Sequence, residues 1–171
     1  MKIKRLILIS LFAALICIAT IIIPPIPIFS IPVTLQTLMI MITGILLTPK
    51  DAFLAVLLYL ILGIIGLPVF SGFNSGLSAL MGPTGGFLIA FPFASFFISY
   101  FKGKLGFLRL LIINAIFASL FVYLIGAISI AFVNQINYFN ALQTLLIFIP
   151  IDLFKALMAA LIGKQLKHIS F

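Results

Sequence analysis

The chain has 171 residues, 65% of them hydrophobic and 7% charged, with a mean hydropathy of +1.46, which excludes an ordinary soluble domain and describes a polytopic membrane protein. A formal charge of +8 raises nucleic acid as a partner, but the basic residues stand at the ends of apolar runs and form no basic face interleaved with aromatics. The single cysteine, Cys17, lies inside an apolar segment and excludes a disulfide framework or a thiolate metal site.

Membrane spans must satisfy their own backbone, so they are helices or a closed barrel, and the continuous apolar runs exclude the alternating pattern of a barrel. The expectation is an all-α integral membrane protein forming a single membrane domain over residues 1–171. Its first helix covers roughly Leu6 to Ile23 and is ended by Pro24, Pro25 and Pro27. Lys2, Lys4 and Arg5 ahead of it could begin a secretion signal, but the run is long enough to span and ends in no small-x-small site. A lipoprotein signal at Cys17 needs a small residue where Ile16 stands.

A connection containing Pro32 leads to a second helix from about Val33 to Leu47, broken by Thr48 and Pro49, and a third runs from about Asp51 to Ile65. A glycine-rich, uncharged stretch follows, from Gly66 to Gly82. Loops this long inside compact domains are usually functional or disordered. With Leu67, Val69, Phe70, Phe73, Leu77, Leu80 and Met81 it is too apolar to stay in water, so it folds back over the membrane domain. A fourth helix starts at Pro83, a residue favoured at the first helical position, and continues to about Phe101. The fifth covers about Leu105 to Phe132, the polar segment Asn134 to Asn140 is a turn, and the sixth runs from about Ala141 to Leu166. Helices two and three fall short of the roughly 20 residues a span needs, so they are tilted, extended into the loops or shielded by neighbouring protein.

Charge gives the orientation. Lys2, Lys4, Arg5, Lys50, Lys102, Lys104, Arg109, Lys164 and Lys167 all fall on one side of this six-span arrangement, and the opposite connections contain no Lys or Arg. The positive-inside rule then puts both termini in the cytoplasm of a multi-pass cell-membrane protein.

Two ionisable residues remain within the bilayer. Asp152 and Lys155 are three residues apart, on one face of helix six. A central charge costs about 2.5–3.5 kcal/mol on insertion scales, so both should face the bundle interior and pair. Pro150 should bend the helix and free a carbonyl beside them. The pair either fixes helix packing or contacts a ligand. A proton relay would need further acids or histidines, whereas Asp51 and His168 read as solvated end charges.

Other polar residues carry two readings each. Thr34, Gln36 and Thr37 cap helix two or meet a ligand. Asn74, the amide of the glycine-rich loop, shapes a turn or reads a urea or amide group. Gly82-Pro83-Thr84-Gly85-Gly86 opens helix four with backbone donors suited to a carboxylate. Asn114, Ser119 and Tyr123 read first as inter-helix hydrogen bonds. Ser10/Ala14, Ala156/Ala160 and Ala159/Gly163 are small-residue pairs suited to close helix contacts. Phosphate-loop, GxSxG and HExxH motifs are all missing from the sequence, so transport would be passive or powered by another protein. A membrane-embedded enzyme would need a reactive group beyond the Asp–Lys pair, and a structural subunit would use the small-residue faces without binding a small molecule.

The segments PxPxxxIPVTLQT (Pro25 to Thr37), LLYLILGIIGLPVFSG (Leu57 to Gly72), MGPTGGFLIAFP (Met81 to Pro92) and Asp152-x-x-Lys155 together resemble the BioY family over nearly the whole chain. These are biotin-specific S components, the substrate-binding membrane subunits of energy-coupling-factor (ECF) transporters. The resemblance implies high-affinity capture of biotin from outside, with no enzymatic activity and no cofactor or metal. It also implies association with an ECF transmembrane coupling protein and two ATP-binding subunits, followed by toppling in the membrane to release the vitamin. Carried over by position, Asn74, Asp152 and Lys155 are its polar contacts to biotin, with Gln36, Thr84, Gly85, Phe87 and Tyr123 as further pocket members. Phe87 stands where the family often has Tyr. The small-residue face that meets the coupling protein is expected at Ala13 and Cys17. Another vitamin as substrate, or a structural subunit without transport, are the alternatives.

Overall fold

The computed structural model describes residues 2–22, 26–28, 31–104 and 106–166. The expectations for Pro24, Pro25, Leu105, Lys167 and His168 lie outside the described residues. The fold is mostly helical, and among the described residues three helical stretches are by length and composition able to cross a membrane: residues 3–22, 107–134 and 138–165.

Helix α1 (Lys2–Ile22) packs along α3 (Pro49–Ile64). Thr48 caps α3 through its hydroxyl and Pro49 occupies the start, where its missing N–H is not needed. Asp51 in that first turn is not a solvated end charge. It is 4% exposed, takes a 2.9 Å hydrogen bond from Thr48 and pairs with Arg5 of α1 at 2.5 Å, tying the starts of the two helices together.

The connection after α1 contains two strands, β1 (Ile26–Ile28) and β2 (Ile31–Val33), paired antiparallel with Pro27 opposite Pro32. The prolines had concealed them, yet a two-stranded ribbon has outer edges where a missing N–H is tolerated. Helix α2 (Gln36–Leu46) begins later than Val33 because the Thr34 hydroxyl turns the chain by accepting from the Gln36 N–H. With 11 residues it is short, and most of it is buried by neighbours. Its far end is closed by Lys102, whose ammonium donates to the Ile45 and Leu47 carbonyls at 2.8 and 2.6 Å, and by Ser99, which donates to Leu47 at 2.6 Å. These bonds satisfy carbonyls that a helix end leaves orphaned.

The glycine-rich stretch holds a short 3₁₀ turn (Ser71–Phe73) and helix α4 (Leu77–Met81). Helix α5 (Gly85–Phe101) starts two residues after Pro83, with Thr84 at its cap position. The fifth hydrophobic run is α6 (Phe107–Asn114), a π-helical segment (Ala115–Leu120) and α7 (Phe121–Asn134). The expected polar turn is shorter than Asn134 to Asn140, because Asn137 caps α8 (Tyr138–Leu145) by accepting from the Phe139 N–H. A 3₁₀ turn (Leu146–Phe148) then leads into α9 (Ile149–Gln165).

Pro150 therefore stands in the first turn of α9 rather than inside a continuous helix, and the break in span six is the 3₁₀ turn before it. Helices α2, α3, α5, α6, α7 and α9 pack around a core in which small residues let backbones approach closely. A Cβ on Gly44 of α2 would stand 2.8 Å from Ile98, and one on Gly163 of α9 would stand 2.7 Å from Ile45.

Candidate binding site

A cavity of about 390 Å³ opens at the end of the bundle opposite Arg5, Asp51 and Lys102, within the size range of small-molecule sites. Its sides come from α2 (Gln36, Thr37), α5 (Phe87, Leu88, Phe91), α7 (Val122, Tyr123), the end of α8 (Leu145) and the turn after it (Phe148). The loop residues Phe70, Ser71, Asn74, Ser78 and Gly82 to Thr84 cover it.

Asp152 and Lys155 contribute to the wall from α9. The start of α9 at Ile149 puts Asp152 in the first turn, where the helix dipole favours a negative charge. Lys155, one turn on, donates to Asp152 Oδ1 at 2.9 Å and to the Thr37 hydroxyl at 2.9 Å. Tyr123 donates to Asp152 Oδ2 at 2.5 Å, and Thr37 stands 3.4 Å from Oδ1. Asp152 and Lys155 are 5% and 8% exposed, so the pair sits in a low-dielectric setting where its charges need these partners.

The chemistry of this cluster follows from its inventory. The two formal charges cancel, so the wall does not select an ion. An ammonium has three donors, of which Thr37 and Asp152 take two, and a carboxylate has about four acceptor positions, not all of them filled. What faces the cavity is one strong donor beside one strong acceptor, suited to a neutral group that both donates and accepts.

Most of the expected site residues converge here. Asn74, Asp152, Lys155, Gln36, Thr84, Phe87 and Tyr123 all line the cavity. Asn74 also shapes its turn, donating to the Ser71 carbonyl at 2.8 Å, as the turn reading of that amide expects. Tyr123 makes the inter-helix bond expected of it, and that bond ends on Asp152. The Phe87 ring packs over Gly126 of α7, where a Cβ would overlap it.

Gly85 departs from the expectation, because it is not part of the cavity wall. A Cβ there would overlap the Leu80 carbonyl, so this glycine serves the close packing of α4 on α5. Nor is the α5 N-terminus a free anion site: Gly85 N–H donates to Gly82 at 3.0 Å and Gly86 N–H to Ser129 Oγ at 3.0 Å.

Ala13 departs too. It is 1% exposed, packed in the core beneath α1, and Cys17 is half-buried beside it. The face that α1 turns outward carries the other small pair, Ser10 and Ala14, among Leu6, Leu11 and Ile18.

Thr37, read as a helix cap or a ligand contact, lines the cavity, whereas Ser71 had not been singled out as a site residue. Ser71 lines the cavity with a buried hydroxyl that has no partner among the described residues, and its spacing in the loop carries no signal. Asn114 and Ser119, expected to bond between helices, flank or occupy the π-helical segment, with buried side-chain atoms that have no partner among the described residues.

The BioY family matches residues 1–170. A probable biotin transporter BioY from Pyrococcus horikoshii is 37% identical over 167 residues, covering 98% of both chains. Biotin transporter BioY2 from Lactococcus lactis is 38% identical over 168 residues, covering 96% of this chain and 91% of its own. A crystal structure of the S-component for biotin from an ECF-type ABC transporter superposes with a TM-score of 0.91 at 36% identity, covering 98% of this chain and 92% of that one. This chain belongs to the BioY family.

Proposed function

We propose that this protein captures biotin as the membrane-embedded S component of an ECF transporter and is not an enzyme. The observation that carries the substrate is the neutral donor–acceptor pair of Lys155 and Asp152 on the cavity wall. A ureido ring offers N–H groups to the carboxylate and a carbonyl to the remaining ammonium donor. Phe87, Leu88, Phe91, Val122 and Phe148 supply apolar walls for the bicycle and its aliphatic chain. With the Gly85 and Gly86 amides already bonded, the terminal carboxylate meets the hydroxyls of Ser71 and Thr84, and Asn74 completes the polar rim.

Isothermal calorimetry on the detergent-purified chain tests this reading, with thiamine and riboflavin as controls. Tight binding of biotin alone, about one per chain, is expected. Selective binding of another vitamin would retain the S-component assignment and remove biotin.

The single membrane domain of residues 1–171 has six spans and cytoplasmic termini in this reading. Burial of α2 within the bundle supports the short second span, since protein rather than lipid surrounds it. The meeting of Arg5 with Asp51, and of Lys102 with the end of α2, gathers cationic groups at the end away from the cavity, in keeping with the positive-inside rule. In a Cys17→Ser background, cysteines placed at Lys50 and Gln135 should react with a membrane-impermeant maleimide from opposite sides. Labelling of both from outside intact cells would refute the topology.

Energy comes from partners, the ECF coupling protein with its two ATP-binding subunits. Exposure of Ser10 and Ala14 supports α1 as the helix that meets the coupling protein, one residue out of phase with Ala13 and Cys17.

A further inference from the structure

The cavity is covered by a loop, and a loop that covers a ligand must be held by something that can let go. Outside the cavity wall, Tyr59 of α3 is fully buried, and its hydroxyl is shared between two parts of the binding site. It accepts from Gln36 Nε2 at 2.7 Å, on the α2 wall, and donates to the Val69 carbonyl at 3.2 Å, at the root of the loop. Its ring meets the Phe70 ring edge-on with centroids 5.6 Å apart. Phe70 lies over Gly63, whose missing Cβ makes the space, and the Gly63 carbonyl accepts from Gly76 N–H at 2.8 Å. Between these two anchors the chain turns back on itself, with Phe70 N–H donating to the Asn74 carbonyl at 3.0 Å and Gly72 at a positive φ of 74°. Phe70, Ser71 and Asn74 are thereby held over the cavity.

We propose that Tyr59 is a positioning residue that latches the Val69–Gly76 loop over the bound ligand and so sets how long the ligand stays. Tyr59 is not among the cavity-lining residues, so it acts through Gln36 and Val69. A buried phenol needs partners for both its donor and its acceptor, and in the closed arrangement Gln36 on the α2 wall and the Val69 carbonyl at the root of the loop supply them. Opening the loop breaks the bond to Val69 and uncovers Phe70, and the Ser71 hydroxyl then moves away from the cavity as well.

The inference rests on the biotin reading for its ligand, and two measurements separate their failures. In Tyr59→Phe the packing remains but the shared hydroxyl is gone. Stopped-flow binding should show biotin leaving about tenfold faster, with the association rate within about twofold of wild type. A merely structural residue would instead lower the active fraction and leave the rates of the folded protein alone. Hydrogen exchange on the ligand-free protein should show faster exchange at Phe70 and Gly76 in Tyr59→Phe, and also in Gly63→Ala, which pushes the Phe70 ring off its seat. Unchanged exchange in both variants would overturn the latch whatever the ligand is. Unchanged biotin dissociation in Tyr59→Phe would overturn its role in residence time, whereas failure of the wild type to bind biotin would overturn the substrate reading alone.

Discussion

Replacing Asp152 with Asn is expected to weaken biotin binding by about a hundredfold, corresponding to about 3 kcal/mol, within the range for truncating one member of a buried charge pair. The Asn side chain keeps nearly the same shape, and its carbonyl still accepts a hydrogen bond from Tyr123 or Lys155. What it removes is the charge that balances the Lys155 ammonium, which at 8% exposure has little water to replace it. The wall then carries a net positive charge and one fewer strong acceptor for a ureido N–H.

Because the same change destabilises the fold, affinity should be measured on the folded fraction by calorimetry, beside a Lys155→Met/Asp152→Leu double variant. That variant should melt above Asp152→Asn, since no buried charge is left unpaired, while still failing to bind. Wild-type affinity in Asp152→Asn would remove this carboxylate from the site and leave the pair a packing device.

The second large effect concerns α1. Ala14→Trp should leave biotin binding within about twofold of wild type and abolish ATP-driven uptake in cells that also contain the coupling module. Ala14 faces outward, so a bulky ring there has open space among the described residues, but it blocks the close approach that small residues permit between helices. Ala13→Trp should do the reverse and prevent folding, because Ala13 is 1% exposed in the seam beneath α1. Uptake measured beside binding distinguishes the two. Normal uptake by Ala14→Trp would mean that the coupling protein docks elsewhere.

Local signals were enough wherever a helix end or a charge decided the matter. Thr48 and Pro49 marked the break between the second and third helices, with α3 starting at Pro49 rather than Asp51, the cost of charge in lipid drew attention to Asp152 and Lys155, and the apolar, glycine-rich stretch was expected to fold back and does cover the cavity. Features that depend on a partner distant in sequence were not legible. Asp51 read as a solvated charge because Arg5, its ion-pair partner, is 46 residues away. Gly85 read as an anion cradle because nothing local says that Leu80 lies against it or that Gly86 and Ser129 are bonded.

Composition and charge placement by themselves determined a helical membrane protein with a charged pair in its interior, and the family resemblance carried by the motifs pointed to most of the other residues that meet at the cavity. These depend on the chemistry of each residue and on the solvent that a long apolar run requires. Only the tertiary structure decided the phase of α1, which buries Ala13 and exposes Ser10 and Ala14, and the use of Thr37 and Tyr123 to complete the charged pair. A rotation of about 100° separates neighbouring residues on a helix, and which of them faces inward is settled by the surfaces that pack against it.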